Sequence, residues 1–118
     1  MTGKRFELHP GFGRTFAGQD IEELRLHRVE EVPCLDVTVR GAGQVRRLRF
    51  FNPRDLRFHM QEGGVGFQRF PSVYDVSGHG MEGVSVLVAD DDGGAADCGL
   101  YLWASRVIEV ALTGETLH

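Results

Sequence analysis

The sequence predicts one mainly β domain, with room for one short helix, built as an antiparallel sheet of about six to eight strands that is partly rolled or sandwich-like. Short runs alternate apolar and polar residues, glycine-bearing turns separate them, and no segment sustains a helical period beyond one turn. A chain of 118 residues with 42% hydrophobic content can bury a core without metal or disulfide staples, so one domain over 1–118 is expected.

Residues 1–19 read as a loose arm, because His9, Pro10, Gly11 and Gly13 interrupt any pattern while Phe6, Leu8, Phe12 and Phe16 supply scattered anchors. The arm is expected to lie against the body rather than form its centre. Asp20 and Glu23 have the spacing of a helix-start box, which predicts a short turn there leading into a strand from Leu24 to Glu30.

From Cys34 the alternation is plainer: Leu35, Val37 and Val39 would face a core and Asp36, Thr38 and Arg40 solvent. Gly41 to Gly43 turns the chain into Val45 to Phe51, giving a hairpin over Cys34 to Phe51. Asn52 to Asp55 makes the next turn, and Leu56, Phe58 and Met60 mark another half-exposed strand.

Glycines 63, 64 and 66 break the pattern, Val73 to Val76 restores an apolar stretch, and Ser77 to Gly80 reads as a turn or bulge. Val84 to Ala89 is apolar at nearly every position, as expected for the middle of a sheet covered on both faces. Asp90 to Asp97 is a strong turn signal, predicting a hairpin into Cys98 to Ala104 and then Arg106 to Leu112. Tyr101 and Trp103 should point away from Leu100 and Leu102. Residues 113–118 form a polar tail.

Composition narrows the function classes. The formal net charge of −4 disfavours nucleic-acid binding through the whole surface, since phosphate contacts need clustered cations. No apolar run reaches signal-peptide or membrane-spanning length, which predicts a cytoplasmic chain. Cys34 and Cys98 each begin an apolar segment, the usual place of a small buried hydrophobe.

Catalytic and metal signals are weak. The five histidines lack metal-ligand spacing, so no cofactor or metal is expected, and His27 and His59 fall on polar strand positions expected to face solvent. A cysteine would become a nucleophile only if a histidine approached it in space. The Asp90-Asp91-Asp92-Gly93 run departs from a calcium loop, with its glycine too early and no closing glutamate.

Charge is unevenly distributed along the chain. Arg40, Arg46, Arg47, Arg49, Arg54, Arg57 and Arg69 face only Asp55 and Glu62 in their stretch, whereas Phe70 to Ser105 holds no lysine or arginine. The two regions would either pair across a solvated face or form separate faces, the acidic one steering a basic partner. Asp75, Glu82, Asp90, Asp91 and Asp92, with Tyr101 as an aromatic anchor, are the partner-binding candidates; Tyr74 and Trp103 share its aromatic character.

From Leu24 onward the chain resembles small bacterial immunity proteins encoded beside polymorphic toxins, most nearly the immunity protein 50 family. The segments that carry the likeness are Leu24 to Val29, Arg47 to Phe51 with Leu56-Arg57-Phe58, and Tyr74 to Ser77 leading through Glu82-Gly83 to the acidic turn and last strands. The resemblance implies a non-enzymatic protein that neutralises a cognate toxin domain, often through an acidic surface. The arginine-rich middle and the glycine-rich 63–66 segment depart from it.

Three other readings stay open: an assembly subunit forming a homo-oligomer, a small enzyme with a site assembled from Cys98, His79 or the aspartates, and a nucleic-acid binder using Arg46, Arg47, Arg49, Arg54 and Arg57.

Overall fold

A computed structural model describes residues 6–58, 69–80, 82–89 and 99–112, and among these described residues nine strands form two antiparallel sheets. In chain order they are β1 (Glu7–Leu8), β2 (Asp20–Val29), β3 (Val32–Gly41), β4 (Gln44–Phe51), β5 (Arg54–Phe58), β6 (Ser72–Asp75), β7 (Val86–Ala89), β8 (Leu100–Ala104) and β9 (Arg106–Val110). One sheet runs β1-β6-β7-β8-β5 and the other β2-β3-β4-β9. The mainly β expectation holds. The only helical element among the described residues is a single 3-10 turn at Ser77–His79, and none of their helices is long and apolar enough to cross a membrane.

Alternation along the strands places the core between the sheets. Val37, Val39, Leu48 and Phe50 from the four-stranded sheet pack in one cluster with Val73, Val86, Val88, Leu100, Leu102 and Ala104 from the five-stranded sheet. Phe50, Phe70 and Phe16 fill its centre, with ring centroids 6.5 Å apart for Phe50 and Phe70 and 6.4 Å for Phe16 and Phe70. Each such buried side chain contributes about 1.5–3 kcal/mol of hydrophobic stabilisation. Phe16 therefore corrects the expectation for residues 1–19: this segment supplies a central core side chain, and Glu7–Leu8 adds an edge strand to β6.

A second correction falls at Asp20 to Glu23, which is extended rather than a helical turn. Ile21 has to reach the core opposite Val39, and the register shifts between Ile21 and Glu23 as in a β-bulge. The pairing of a long strand overrides a one-turn helical spacing.

The β3–β4 hairpin forms as predicted. Ala42 and Gly43 both have positive φ, 54° and 76°, and join Gly41 to Gln44 in the two-residue turn that matches strand twist. In contrast, β3 is buried on both faces, because Asp36 and Thr38 are covered by arginine side chains from β4 instead of facing water. Val86–Ala89 lies centrally and is buried on both faces, as its composition predicts. It pairs antiparallel with β8, while the Asp90–Asp97 turn between them lies outside the described residues, as do Met60 and the 113–118 tail.

The chain changes sheet between β1 and β2, between β4 and β5, and between β8 and β9, where Ser105 is the single connecting residue. Its N–H and hydroxyl both donate to the Phe51 carbonyl, at 2.8 and 3.1 Å, tying the β8–β9 corner to the end of β4.

Candidate functional site

The five-stranded sheet has an outer face that is itself aromatic. Period-two geometry sends Leu100 and Leu102 into the core and turns Tyr101 and Trp103 outward. Register then aligns a row across all five strands: Leu8 faces Tyr74, Tyr74 faces Leu87, Leu87 faces Trp103, and Trp103 faces Arg54. Phe6 lies over this row, its ring centroid 6.2 Å from Tyr74 and 6.3 Å from Trp103. The Trp103 indole N–H donates to the Tyr101 hydroxyl at 2.9 Å, and the two rings meet edge to face at 6.2 Å. The indole N–H is thus satisfied by the Tyr101 oxygen, and both rings keep half-buried surfaces for contact.

Beside these rings opens a groove of about 860 Å³ lined by Arg54, Asp55, Glu82, Gly83, Val84, Tyr101 and Trp103. A bulge builds one wall. Between the pairs Arg54–Trp103 and Arg57–Tyr101 β5 carries one residue more than β8, and Asp55 within it has φ of 52°, so Asp55 reaches the groove while Leu56 still packs on the core. Gly83 shapes the opposite wall. Its φ of 74° reverses the chain after Glu82 and allows Val84 to join the outer apolar cluster. Two carboxylates and one guanidinium therefore frame two aromatic rings.

Of the sequence-predicted partner-binding residues, Glu82 and Tyr101 come together here. Asp75 does not: it faces Glu7 and Val86 at the end of the sheet, and its carboxylate accepts from the Ser77 N–H at 2.9 Å and the Ser77 hydroxyl at 2.7 Å. Asp90, Asp91 and Asp92 lie outside the described residues. In the sequence Trp103 offers only its aromatic character, Arg54 only its place among the arginines of the nucleic-acid reading, and Asp55 no partner-binding signal. Strand alternation does turn Trp103 outward, but the register that sets Arg54 beside it is not encoded in local pattern.

The four-stranded sheet presents a different chemistry on its solvent side. Arg49 donates to both oxygens of buried Asp36, at 2.8 and 3.0 Å, and His27 Nε2 lies 3.0 Å from Oδ2 without the alignment of a hydrogen bond. Burial acts to raise the Asp36 pKa, but the Arg49 hydrogen bonds and the His27 contact outweigh it and hold the carboxyl below its ordinary range. His27 is thus largely covered, contrary to the solvent-facing position expected of it. His59 lies outside the described residues.

The arginine block finds its partners within its own sheet. Arg46 pairs bidentately with Glu109 at 2.7 Å, Arg47 reaches Thr38 at 3.0 Å and Glu23 at 3.4 Å, and Arg40 pairs with Glu22. Arg54 and Arg57 stand on β5 in the other sheet, so the five arginines considered for a nucleic-acid face are divided between two sheets.

Cys34 sits directly opposite His27, an approach of thiol strand to histidine strand that only pairing reveals. The free thiol is fully buried and donates to the Val32 carbonyl at 3.4 Å. Burial pushes its pKa up, favouring the unreactive protonated form. Cys98 and the aspartates at 90–92 and 97 lie outside the described residues, and no group of metal-ligating side chains forms among those described.

No protein-family model, curated protein or solved structure matches the chain.

Proposed function

We propose that the chain is a non-enzymatic protein-binding module that grips a basic segment of its partner in the groove beside Trp103 and Tyr101. The observation that carries this reading is the pairing of two aromatic rings, already joined by their polar tips, with the carboxylates of Glu82 and Asp55 at the same opening. An arginine or lysine side chain laid over such rings gains cation–π attraction, and a nearby carboxylate fixes its charged end. Arg54, on the β5 wall with its guanidinium turned toward Gly83, sets a like-charge limit on where that side chain can enter, which favours a defined orientation over general attraction to cations.

This chemistry agrees with the immunity-type role implied by the family resemblance, in which a toxin domain with a basic surface is the partner and neutralisation occurs in the cytoplasm. The test is capture of partners from the native host on immobilised chain, comparing the natural sequence with Trp103→Ala and Glu82→Arg. A partner retained by the natural chain and lost from both variants supports the reading. No stable partner, or equal retention by the variants, overturns it.

A further inference from the structure

Strand β2 ends the four-stranded sheet, and among the described residues only Arg69 bridges to its outer side, at Asp20. Leu26 on this strand is 65% exposed, the most exposed large hydrophobic residue among those described, and half-buried Leu24 shares its face. The β2–β3 turn determines which backbone groups point away from β3. Glu30 and Glu31 both have positive φ and connect the closing pair Val29–Val32, as in a two-residue hairpin whose closing residues are hydrogen-bonded to each other. By alternation Leu24, Leu26 and Arg28 turn their N–H and C=O groups outward.

We propose that this edge pairs antiparallel with the same edge of a second copy, about a two-fold axis at Arg25, so that one sheet continues through both chains. In that register Leu24 of each copy faces Leu26 of the other, which covers the exposed leucine twice. On the opposite face Glu23 of each copy meets His27 of the other. Glu23 is available for this, since it is exposed and holds Arg47 only at 3.4 Å. The two Arg25 side chains meet on the axis as like charges, and the other copy's Glu23, diagonal to each and within reach of a long side chain, offsets that repulsion.

Neighbouring registers fit less well. A shift that centres Leu24 sets Leu26 against Glu22, in the bulged part of the strand, and a shift that centres Leu26 sets Leu24 against Arg28 and Glu23 against Val29, losing both the leucine pair and the Glu23 contact. The groove lies on the other sheet, so self-association and partner capture succeed or fail separately.

Sedimentation of the natural chain over rising concentration should give a species of twice the chain mass, and Leu26→Lys should return it to the monomer with an unchanged β-sheet circular dichroism spectrum. In a Cys98→Ser background, Arg25→Cys chains should cross-link to dimers under mild oxidation while Arg28→Cys chains do not. A chain monomeric at every concentration overturns the proposal, as does a dimer that survives Leu26→Lys. Should Leu26→Lys fail to fold, the cross-link decides: absence of the Arg25→Cys dimer is contrary to the proposal.

Discussion

Asp36 and Arg49 face each other across the β3–β4 pair and are joined by two hydrogen bonds, at 2.8 and 3.0 Å, although Asp36 is almost fully buried. A carboxylate so placed depends on its partners, because an uncompensated buried charge is costly. Replacing it leaves the Arg49 fork facing a neutral amide that can accept but also presents donors. Asp36→Asn should destabilise the fold by about 2–3 kcal/mol, measured by urea denaturation.

Acid should act through the same residue. The folded-state pKa of Asp36 lies below its ordinary value of 3.8, so its contribution is fully present above the unfolded pKa and is lost as pH falls through the folded one. Stability of the natural chain should therefore decline below about pH 4, and the decline should be shallower in Asp36→Asn. Denaturation midpoints collected from neutral pH downward provide the check; parallel acid limbs in the two proteins would contradict it.

The β2–β3 turn holds two glutamates at positive φ, 52° for Glu30 and 70° for Glu31. This conformation costs an ordinary L-residue about 1–2 kcal/mol and suits asparagine and glycine far better. Combining Glu30→Asn with Glu31→Gly should stabilise the protein by about 1 kcal/mol and raise its melting temperature by about 4 °C. Calorimetry of the double variant reads this directly.

Much of the fold was legible because strand pairing leaves a period-two trace. Leu35, Val37 and Val39, the Gly41–Gly43 turn, and the doubly apolar Val84 to Ala89 each pointed to their observed places. Asp20 to Glu23 misled because a helix-start box is a local signal, while Ile21 answers to a core contact opposite Val39, distant in sequence. Asp36 misled for a related reason: alternation assigns it to the polar face, yet long arginine side chains from β4 cover that face.

The site was legible only in part. Acidity and aromaticity pointed to Glu82 and Tyr101, and both line the groove. By local pattern Asp55 is a turn residue and Arg54 one of the basic block, and only the β5–β8 register with its bulge brings them beside Trp103. Charge order along the chain also does not reveal the partners of Arg40, Arg46, Arg47 and Arg49, which lie on β2, β3 and β9.

The most direct test is the affinity of the captured partner for the natural chain and for Trp103→Ala, measured by calorimetric titration after the variant's fold has been verified. If the groove is the binding site, removing the indole should weaken binding at least about tenfold, the loss expected of a buried aromatic anchor. Equal affinity for the two chains would contradict a partner held at Trp103.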